Sequence, residues 1–152
     1  MTAPILIFGW GNPSRGDDAL GPLLVERIDA MNLPGVECLT DFQLQVEHTL
    51  DLIHRQHVLF VDASLDAEPP FCQRRLFPAR DATFTTHAMS PEAVMQTYID
   101  LHNTPPPPCA LLAIRGESFD LGAPLGPAAS KHLEAALDWA IRWIEKIEEG
   151  TS

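Results

Sequence analysis

Two adjacent acids, a third acid and a histidine are the residues of this chain whose types and positions could support chemistry. Asp17 and Asp18 follow a glycine-rich turn that comes directly after the apolar run Ile5–Phe8. Asp62 follows a second apolar run, and His87 lies just before a pattern typical of a helix start. Two carboxylates and one imidazole can bind a divalent transition metal and leave positions open for water or a substrate. The pattern therefore indicates a metal-dependent site.

Each of these residues also has a purely structural explanation. Asp17 or Asp18 could cap the following helix, because Asp is among the favoured N-cap residues, and either of the two could be the metal ligand. Asp62 could accept hydrogen bonds from the amides of the next loop, and His87 could be an ordinary polar residue before a helix. The spacing leaves these alternatives open. The other histidines are expected to be exposed to solvent: His48, His54, His57, His102 and His132.

The turn after Ile5–Phe8 does not match the nucleotide-binding loops. A dinucleotide fingerprint requires glycine where Ser14 stands, and a phosphate-binding loop requires lysine where Asp17 follows Gly16. The next helix is expected to have Pro22 near its first position, because proline has no amide hydrogen to donate within a helix. A turn that carries two carboxylates is suited to a cation rather than to a phosphate.

The other predicted elements alternate between strands and helices. In order, they are a helix to about Met31, a strand Val36–Thr40, a short amphipathic helix marked by Val46, Leu50 and Ile53, a strand His57–Asp62, an edge strand Cys72–Phe77, a helix capped by Ser90, a strand Ala110–Ile114 and a C-terminal helix marked by Leu133 to Ile144. This order predicts a largely parallel sheet with helices on both faces. Because loops that follow parallel strands share the carboxyl edge of the sheet, Asp18, Asp62 and His87 are expected to meet there.

Length, charge and cysteine content restrict the class of protein. A chain of 152 residues with no visible domain boundary predicts one domain, residues 1–152. The net charge of -11 argues against a nucleic-acid partner, because such binding depends on neutralising phosphates, and it predicts a monomer that meets its partner transiently. Three widely spaced cysteines give no disulfide framework, which favours the cytoplasm. No stretch predicts a membrane span.

Several segments resemble, in order and spacing, those of the nickel–iron hydrogenase maturation proteases, the endopeptidases that trim the hydrogenase large subunit. The resemblance extends along nearly the whole chain. The segments that carry it are Gly9-x-Gly11-Asn12-x-x-x-x-Asp17-Asp18-x-x-Gly21, Gln43-Leu44, Val58-Leu59-Phe60-Val61-Asp62-Ala63, Thr86-His87-Ala88-Met89-Ser90-Pro91 and Glu117-Ser118-Phe119-Asp120-Leu121-Gly122.

The resemblance implies a three-layer α/β/α sandwich around a mostly parallel, twisted, five-stranded sheet. It also implies an endopeptidase that recognises nickel in the large-subunit precursor and removes its C-terminal extension. In that family the second acid of the opening motif, the strand-end acid and the loop histidine bind the metal. These positions are Asp18, Asp62 and His87 here, and the same residues are expected to be catalytic. The nickel is expected to come with the substrate rather than to be held permanently.

Two positions depart from the family pattern, and two other functions fit parts of it. Ala19 stands where a glycine often follows the acid pair, and Gly116 stands where a less flexible residue, often proline, is expected. Both bear on loop shape and therefore on the choice of partner. The same ligands would suit a non-catalytic metallochaperone that checks the precursor for nickel. A similar sandwich could also serve a small-molecule hydrolase or phosphorylase. No serine or cysteine nucleophile is expected, because no G-x-S-x-G motif is present and no cysteine lies near the three loops in sequence.

Overall fold

The structure is a computed structural model that describes residues 2–81 and 88–150. Its elements are β1 (Ile5–Trp10), α1 (Leu20–Asp29), β2 (Val36–Asp41), β3 (His57–Ser64), β4 (Phe71–Leu76), α2 (Pro91–His102), β5 (Cys109–Arg115) and α3 (Pro127–Gly150), with short 3-10 helices at Gly16–Ala19 and Val46–Leu52. One five-stranded sheet has the order β2-β1-β3-β5-β4. Its pairs are parallel except β4 with β5. Strand β4 lies at one edge of the sheet, as the sequence predicts for this segment.

One face of the sheet is covered by α1 and α3. Ile7 and Leu59 project from the sheet into a buried cluster that includes Leu24 of α1 and Leu137 of α3. Successive residues of a strand point to opposite faces, so the other half of each apolar strand must be covered by another layer.

The opposite face is covered by α2 and the second 3-10 helix. Phe8 and Phe60, each one residue along from a member of the first cluster, pack with Val94 of α2 and Leu52 of the 3-10 helix. The sheet is therefore the middle layer of a three-layer α/β/α sandwich, which confirms the predicted fold class. Within the described residues, no helix is long and apolar enough to cross a membrane.

The start of α1 differs from the prediction. The helix begins at Leu20, directly after the 3-10 helix Gly16–Ala19, so Pro22 is its third residue. The third position is still tolerated by proline, because the first four amides of a helix have no partner within it. The consequence is that Asp17 and Asp18 lie in a tight helical turn of their own.

Strand β3 is longer than predicted. It continues two residues beyond Asp62 to Ser64, and Asp62 is aligned with Ala113 of β5. The pairing continues because β5 itself extends to Arg115, opposite Ser64. Asp62 therefore lies near the carboxyl end of the strand but within its paired part.

The predicted apolar face of the helix near residue 50 is wrong. Val46 and Leu50 are 58% and 61% exposed, whereas His48 is 8% exposed and Thr49 is buried. A 3-10 helix has three residues per turn rather than 3.6, so a pattern read at α-helical spacing selects the wrong side. His48 had been expected to be exposed to solvent, and it is instead a buried side chain with hydrogen-bond partners.

Candidate active site

The carboxyl ends of β1 and β3 are adjacent because the two strands pair directly and in parallel. The turn after β1 leads into the 3-10 helix that carries Asp18, and β3 carries Asp62. Open α/β sheets bind ligands at this edge. The topology therefore brings the turn of Asp18 next to the end of the strand that carries Asp62, the two acids that the sequence indicated.

Asp18 is held by the turn that precedes it. The N–H of Asn12 donates to Asp18 Oδ2 at 2.7 Å. Gly11 has φ of +149°, and a Cβ atom at this position would lie 2.0 Å from the carbonyl oxygen of Asp18. Only glycine permits so close an approach. The first motif thus folds back on itself and fixes one oxygen of the Asp18 carboxylate.

Gly21 brings the start of α1 onto the sheet. A Cβ atom on Gly21 would lie 2.6 Å from the carbonyl oxygen of Trp10 and 2.8 Å from that of Val61. A side chain here would push α1 away from β1 and β3. Gly21 therefore determines how close Asp17 and Asp18 can come to Asp62, the residue after Val61.

Asp62 is partly buried and has an altered acidity. Burial, and to a lesser extent the charge of Asp18, raise the pKa of Asp62 to about 7, although a hydrogen bond from the Ala63 backbone opposes the change. Side chains alternate along a strand, so Asp62 lies on the same face as Phe60, which packs in the α2 layer. The 3-10 helix that carries Asp18 contacts β3, which carries Asp62, so the charge of Asp18 can act on Asp62.

This pair of carboxyl groups can exchange a proton near neutral pH and can attract a cation. A carboxyl group with a pKa near 7 is suited to general-base chemistry, and two neighbouring carboxylates favour a bound cation because it relieves their repulsion. However, in the stretches 2–81 and 88–150, no group of three or more His, Cys, Asp or Glu side chains is placed to hold a metal ion. A third ligand would have to come from elsewhere.

The third predicted residue, His87, lies outside the described residues. The chain that follows it is described: the N–H of Met89 donates to the carbonyl oxygen of Leu44 at 3.0 Å, just beyond the carboxyl end of β2. Ser90 caps α2 with its side chain, and Pro91 is the first residue of that helix, as the sequence predicts. The segment leading into α2 therefore begins at the same edge of the sheet as Asp18 and Asp62.

Asp17 has a different role from its neighbour. Its side chain is 3% exposed. Oδ2 accepts hydrogen bonds from the N–H groups of Glu117 and Ser118 at 2.8 and 3.3 Å, and Oδ1 accepts one from Gly126 at 2.8 Å. All three donors belong to the loop between β5 and α3. Asp17 therefore holds that loop beside the site.

The same contact explains Gly116. A Cβ atom on Gly116 would lie 2.9 Å from Cε1 of Phe119 and 3.1 Å from Cβ of Asp17. Its N–H donates to the carbonyl oxygen of Ser64 at 3.0 Å, a bond that proline could not make. The first residue of this loop is small because Asp17 is packed against it. Ala19 is buried, so its methyl group has a place in the core.

Sequence reasoning missed Asp41 and His48. Asp41 is the last residue of β2, so the signal that indicated Asp62, an acid at the end of a strand, was present here too. Asp41 Oδ2 lies 3.0 Å from Nε2 of His48. A groove of about 290 Å³ opens next to Asp41 between β2 and the start of α1, and it is lined by Gly11, Pro13, Pro22, Glu26, Thr40, Asp41 and Phe42.

Comparison with known proteins gives matches at the level of structure. No protein-family model and no curated protein matches the chain by sequence. Among solved structures, the hydrogenase maturating endopeptidase HybD from E. coli superposes with a TM-score of 0.72 at 22% identity, over 93% of this chain and 92% of that one. The [NiFe] hydrogenase maturation protease HycI from Thermococcus kodakarensis KOD1 gives a TM-score of 0.69 at 21% identity, over 91% and 90%.

A third similar structure is a hydrogenase 2 maturation peptidase from Thaumarchaeota archaeon SCGC_AB-539-E09. Its TM-score is 0.65 at 20% identity, over 92% of this chain and 97% of that one. The three structures match this chain over nearly their whole lengths. The chain therefore has the fold of these proteins, whose names are those of the family that the motifs resemble.

Proposed function

We propose that this chain belongs to the hydrogenase maturation protease family. In this proposal it is an endopeptidase that recognises nickel in the immature large subunit of a nickel–iron hydrogenase and removes the C-terminal extension. The observation that carries the proposal is the placement of two acids, Asp18 on the turn after β1 and Asp62 near the end of the adjacent strand β3, at the carboxyl edge of the sheet. The shared fold and the order of the motifs support it.

The metal is part of the substrate in this proposal. Asp18, Asp62 and His87 would approach nickel that the precursor already holds. Carboxylates and imidazole are harder ligands than thiolates, so three of them with open positions are suited to a transient contact with such an ion. The described acids fit this role, because the 3-10 helix that carries Asp18 contacts the strand that carries Asp62. Contact with the ion would place a nearby peptide bond against the same acids.

The two acids would divide the work of hydrolysis. Asp62, with a pKa of about 7, takes a proton from the water that attacks the scissile carbonyl and then gives it to the leaving amine. The Asn12 N–H donates to Asp18 Oδ2 and fixes this side chain in place, so Asp18 would hold the ion or orient the water. The water oxygen forms a bond to the carbonyl carbon as one of its bonds to hydrogen breaks. The carbon–nitrogen bond then breaks, so that the new chain end is a carboxyl group and the transferred proton ends on the amine.

The test uses purified chain with nickel-loaded and nickel-free precursor. We expect a smaller large subunit, seen by intact-mass spectrometry, only from the nickel-loaded precursor. Asp62→Asn and His87→Ala should stop this cleavage and leave the circular dichroism spectrum unchanged. Asp66→Asn is the matched control, because Asp66 is an exposed acid just after β3 and should retain activity.

Each other outcome has a definite meaning. Cleavage of the nickel-free precursor at the same rate would contradict nickel recognition. Normal cleavage by folded Asp62→Asn would contradict the site. Binding of the nickel-loaded precursor without any cleavage by the wild-type chain would indicate the metallochaperone instead of the protease.

A further inference from the structure

We call residues 41–48 the connector, which runs from the last residue of β2 into the second 3-10 helix. The side chain of His48 forms hydrogen bonds with two other residues of this connector. His48 Nδ1 accepts the N–H of Gln45 at 2.8 Å, and Nε2 lies 3.0 Å from Asp41 Oδ2. Because Nδ1 accepts, the hydrogen of the neutral ring is on Nε2 and is donated to Asp41. The ring also makes an edge contact with Phe8, with centroids 4.7 Å apart.

Asp41 joins the connector to the turn that holds Asp18. Its carbonyl oxygen accepts the N–H of Gly11 at 3.1 Å, and its Oδ1 accepts the N–H of Phe42 at 2.7 Å. The residue after Gly11 is Asn12, whose N–H donates to Asp18 Oδ2. Three hydrogen bonds therefore lead from the His48 ring to the Asp18 carboxylate. They are joined through Asp41 and through the peptide unit between Gly11 and Asn12.

The connector also holds the segment that enters α2. The carbonyl oxygen of Leu44 accepts the N–H of Met89. Leu44 itself is buried in the cluster on the α2 face, so this anchor is fixed by packing as well as by its hydrogen bond. The same eight-residue connector thus contacts both the Asp18 turn and the entry of α2.

We propose that His48 is a positioning residue of the active site. It touches neither substrate nor reacting atoms, and acts by holding the connector in the conformation that fixes the Asp18 turn and the start of α2 together. The inference rests on the proposed function above. Buried, fully hydrogen-bonded networks favour one arrangement over alternatives, and a displacement of about 1 Å in a site can cost about 100-fold in rate.

The variants separate the two hydrogen bonds of the ring. His48→Leu replaces the ring with an apolar side chain and removes both of its hydrogen bonds. His48→Asn places an acceptor near the Nδ1 position, and His48→Gln places a donor near Nε2. Leu52→Val is the matched control, because Leu52 is equally buried on the same 3-10 helix and in the same cluster, and makes no side-chain hydrogen bond.

The first readout is the kinetics of precursor cleavage. For His48→Leu we expect kcat to fall by about tenfold or more with KM nearly unchanged, because a displaced carboxylate affects the reaction more than docking. His48→Asn and His48→Gln should each recover part of the loss. Leu52→Val should lower the melting temperature and keep kcat. If His48→Leu and Leu52→Val have the same kcat, the ring is merely structural and the proposal is wrong.

The second readout does not depend on cleavage. Amide hydrogen exchange of Gly11, Asn12 and Met89 should be faster in His48→Leu than in Leu52→Val, or in His48→Asn or His48→Gln if His48→Leu does not fold. Unchanged exchange at these amides would overturn the positioning role. If the wild-type chain fails to cleave the nickel-loaded precursor, the proposed function is wrong, and the exchange data still decide whether His48 positions the turn.

Discussion

Asp17 and Asp62 are both acids at the same edge of the sheet, and their surroundings are opposite. Asp17 is almost fully buried but accepts three hydrogen bonds from backbone amides. Asp62 is less buried, is influenced by the charge of Asp18 and has its pKa raised to about 7. A carboxylate surrounded by donors stabilises the fold, whereas one short of donors keeps its capacity for chemistry. The contrast separates a structural acid from a candidate catalytic one.

The largest effect expected from this comparison is on catalysis. Asp18→Asn removes the carboxylate that would hold the ion or orient the water and should lower precursor cleavage by about 1,000-fold, the upper end of the loss when one preorganised electrostatic group is removed. Stability should change little, because the amide oxygen can still accept the Asn12 N–H. Intact-mass assays and thermal melts measure the two quantities. Cleavage within about twofold of wild type would contradict the role of Asp18.

The second prediction concerns the pH dependence of stability. The folded-state pKa of Asp62 is about 7 and its ordinary value is 3.8, so the folded chain holds a proton that the unfolded chain releases. The free energy of unfolding should therefore fall as the pH rises from about 4 to about 7, by at most about 4 kcal/mol from this residue. Urea titrations at several pH values should show this fall in wild type and not in Asp62→Asn. Parallel curves for the two proteins would contradict the raised pKa.

The third prediction concerns Asp17, where substitution is expected to reduce stability. Asp17→Asn should reduce the free energy of unfolding by about 3 kcal/mol, because an amide group cannot accept all three buried N–H bonds. The matched control is Asp120→Asn, an exposed acid in the same loop, and it should change stability by less than about 0.5 kcal/mol. Equal effects of the two substitutions on urea unfolding would show that Asp17 does not hold the loop.

A smaller loss is expected at Gly116. Gly116→Ala places a methyl group 2.9 Å from the Phe119 ring and 3.1 Å from Cβ of Asp17, and should cost about 1 kcal/mol. Gly116→Pro should cost more, because it also removes the hydrogen bond to Ser64. Thermal melts of the two variants test this order. A stabilising Gly116→Pro would show that the loop tolerates the proline that the family pattern led us to expect.

The smallest effect is expected at Thr49. Its Oγ1 is buried and has no hydrogen-bond partner among the described residues, in contrast to the adjacent His48 ring, both of whose nitrogens have partners. Thr49→Val should therefore change the free energy of unfolding by no more than about 0.5 kcal/mol. A clear loss of stability would mean that the hydroxyl has a partner after all.

The sequence was sufficient for the sheet and for the placement of two of the three predicted site residues. The apolar runs of β1 and β3, and the order of strands and helices, predict a parallel sheet whose carboxyl edge carries Asp18 and Asp62, and the structure has this arrangement. The identity of the metal ligands, and the part of His87 in particular, stays a prediction. Successive residues of a strand point to opposite faces of the sheet, and connections between parallel strands are right-handed. Both rules hold for any chain, which is why they can be applied to a single sequence.

The parts that could not be predicted depend on contacts distant in sequence or on a helix type. Asp17 could be a cap or a ligand until its bonds to Glu117 and Gly126 were known. From the sequence, His48 is expected to be exposed because it lies in or near a helix; it is buried instead, on the inner side of the 3-10 helix Val46–Leu52. The reason for Gly116 is the packing of Asp17 against it, about which the sequence carries no signal.

The bond between Asp17 and Gly126 joins residues 109 positions apart. During synthesis on the ribosome, the amino-terminal acid is made early and must wait until most of the chain has emerged before its last donor is available. Until the loop between β5 and α3 has been made, the Asp17 side chain has none of its three donors and can form hydrogen bonds only with water. The loop between β5 and α3 can therefore bind Asp17 only when translation is nearly complete. Contacts this distant in sequence favour slow, late folding steps.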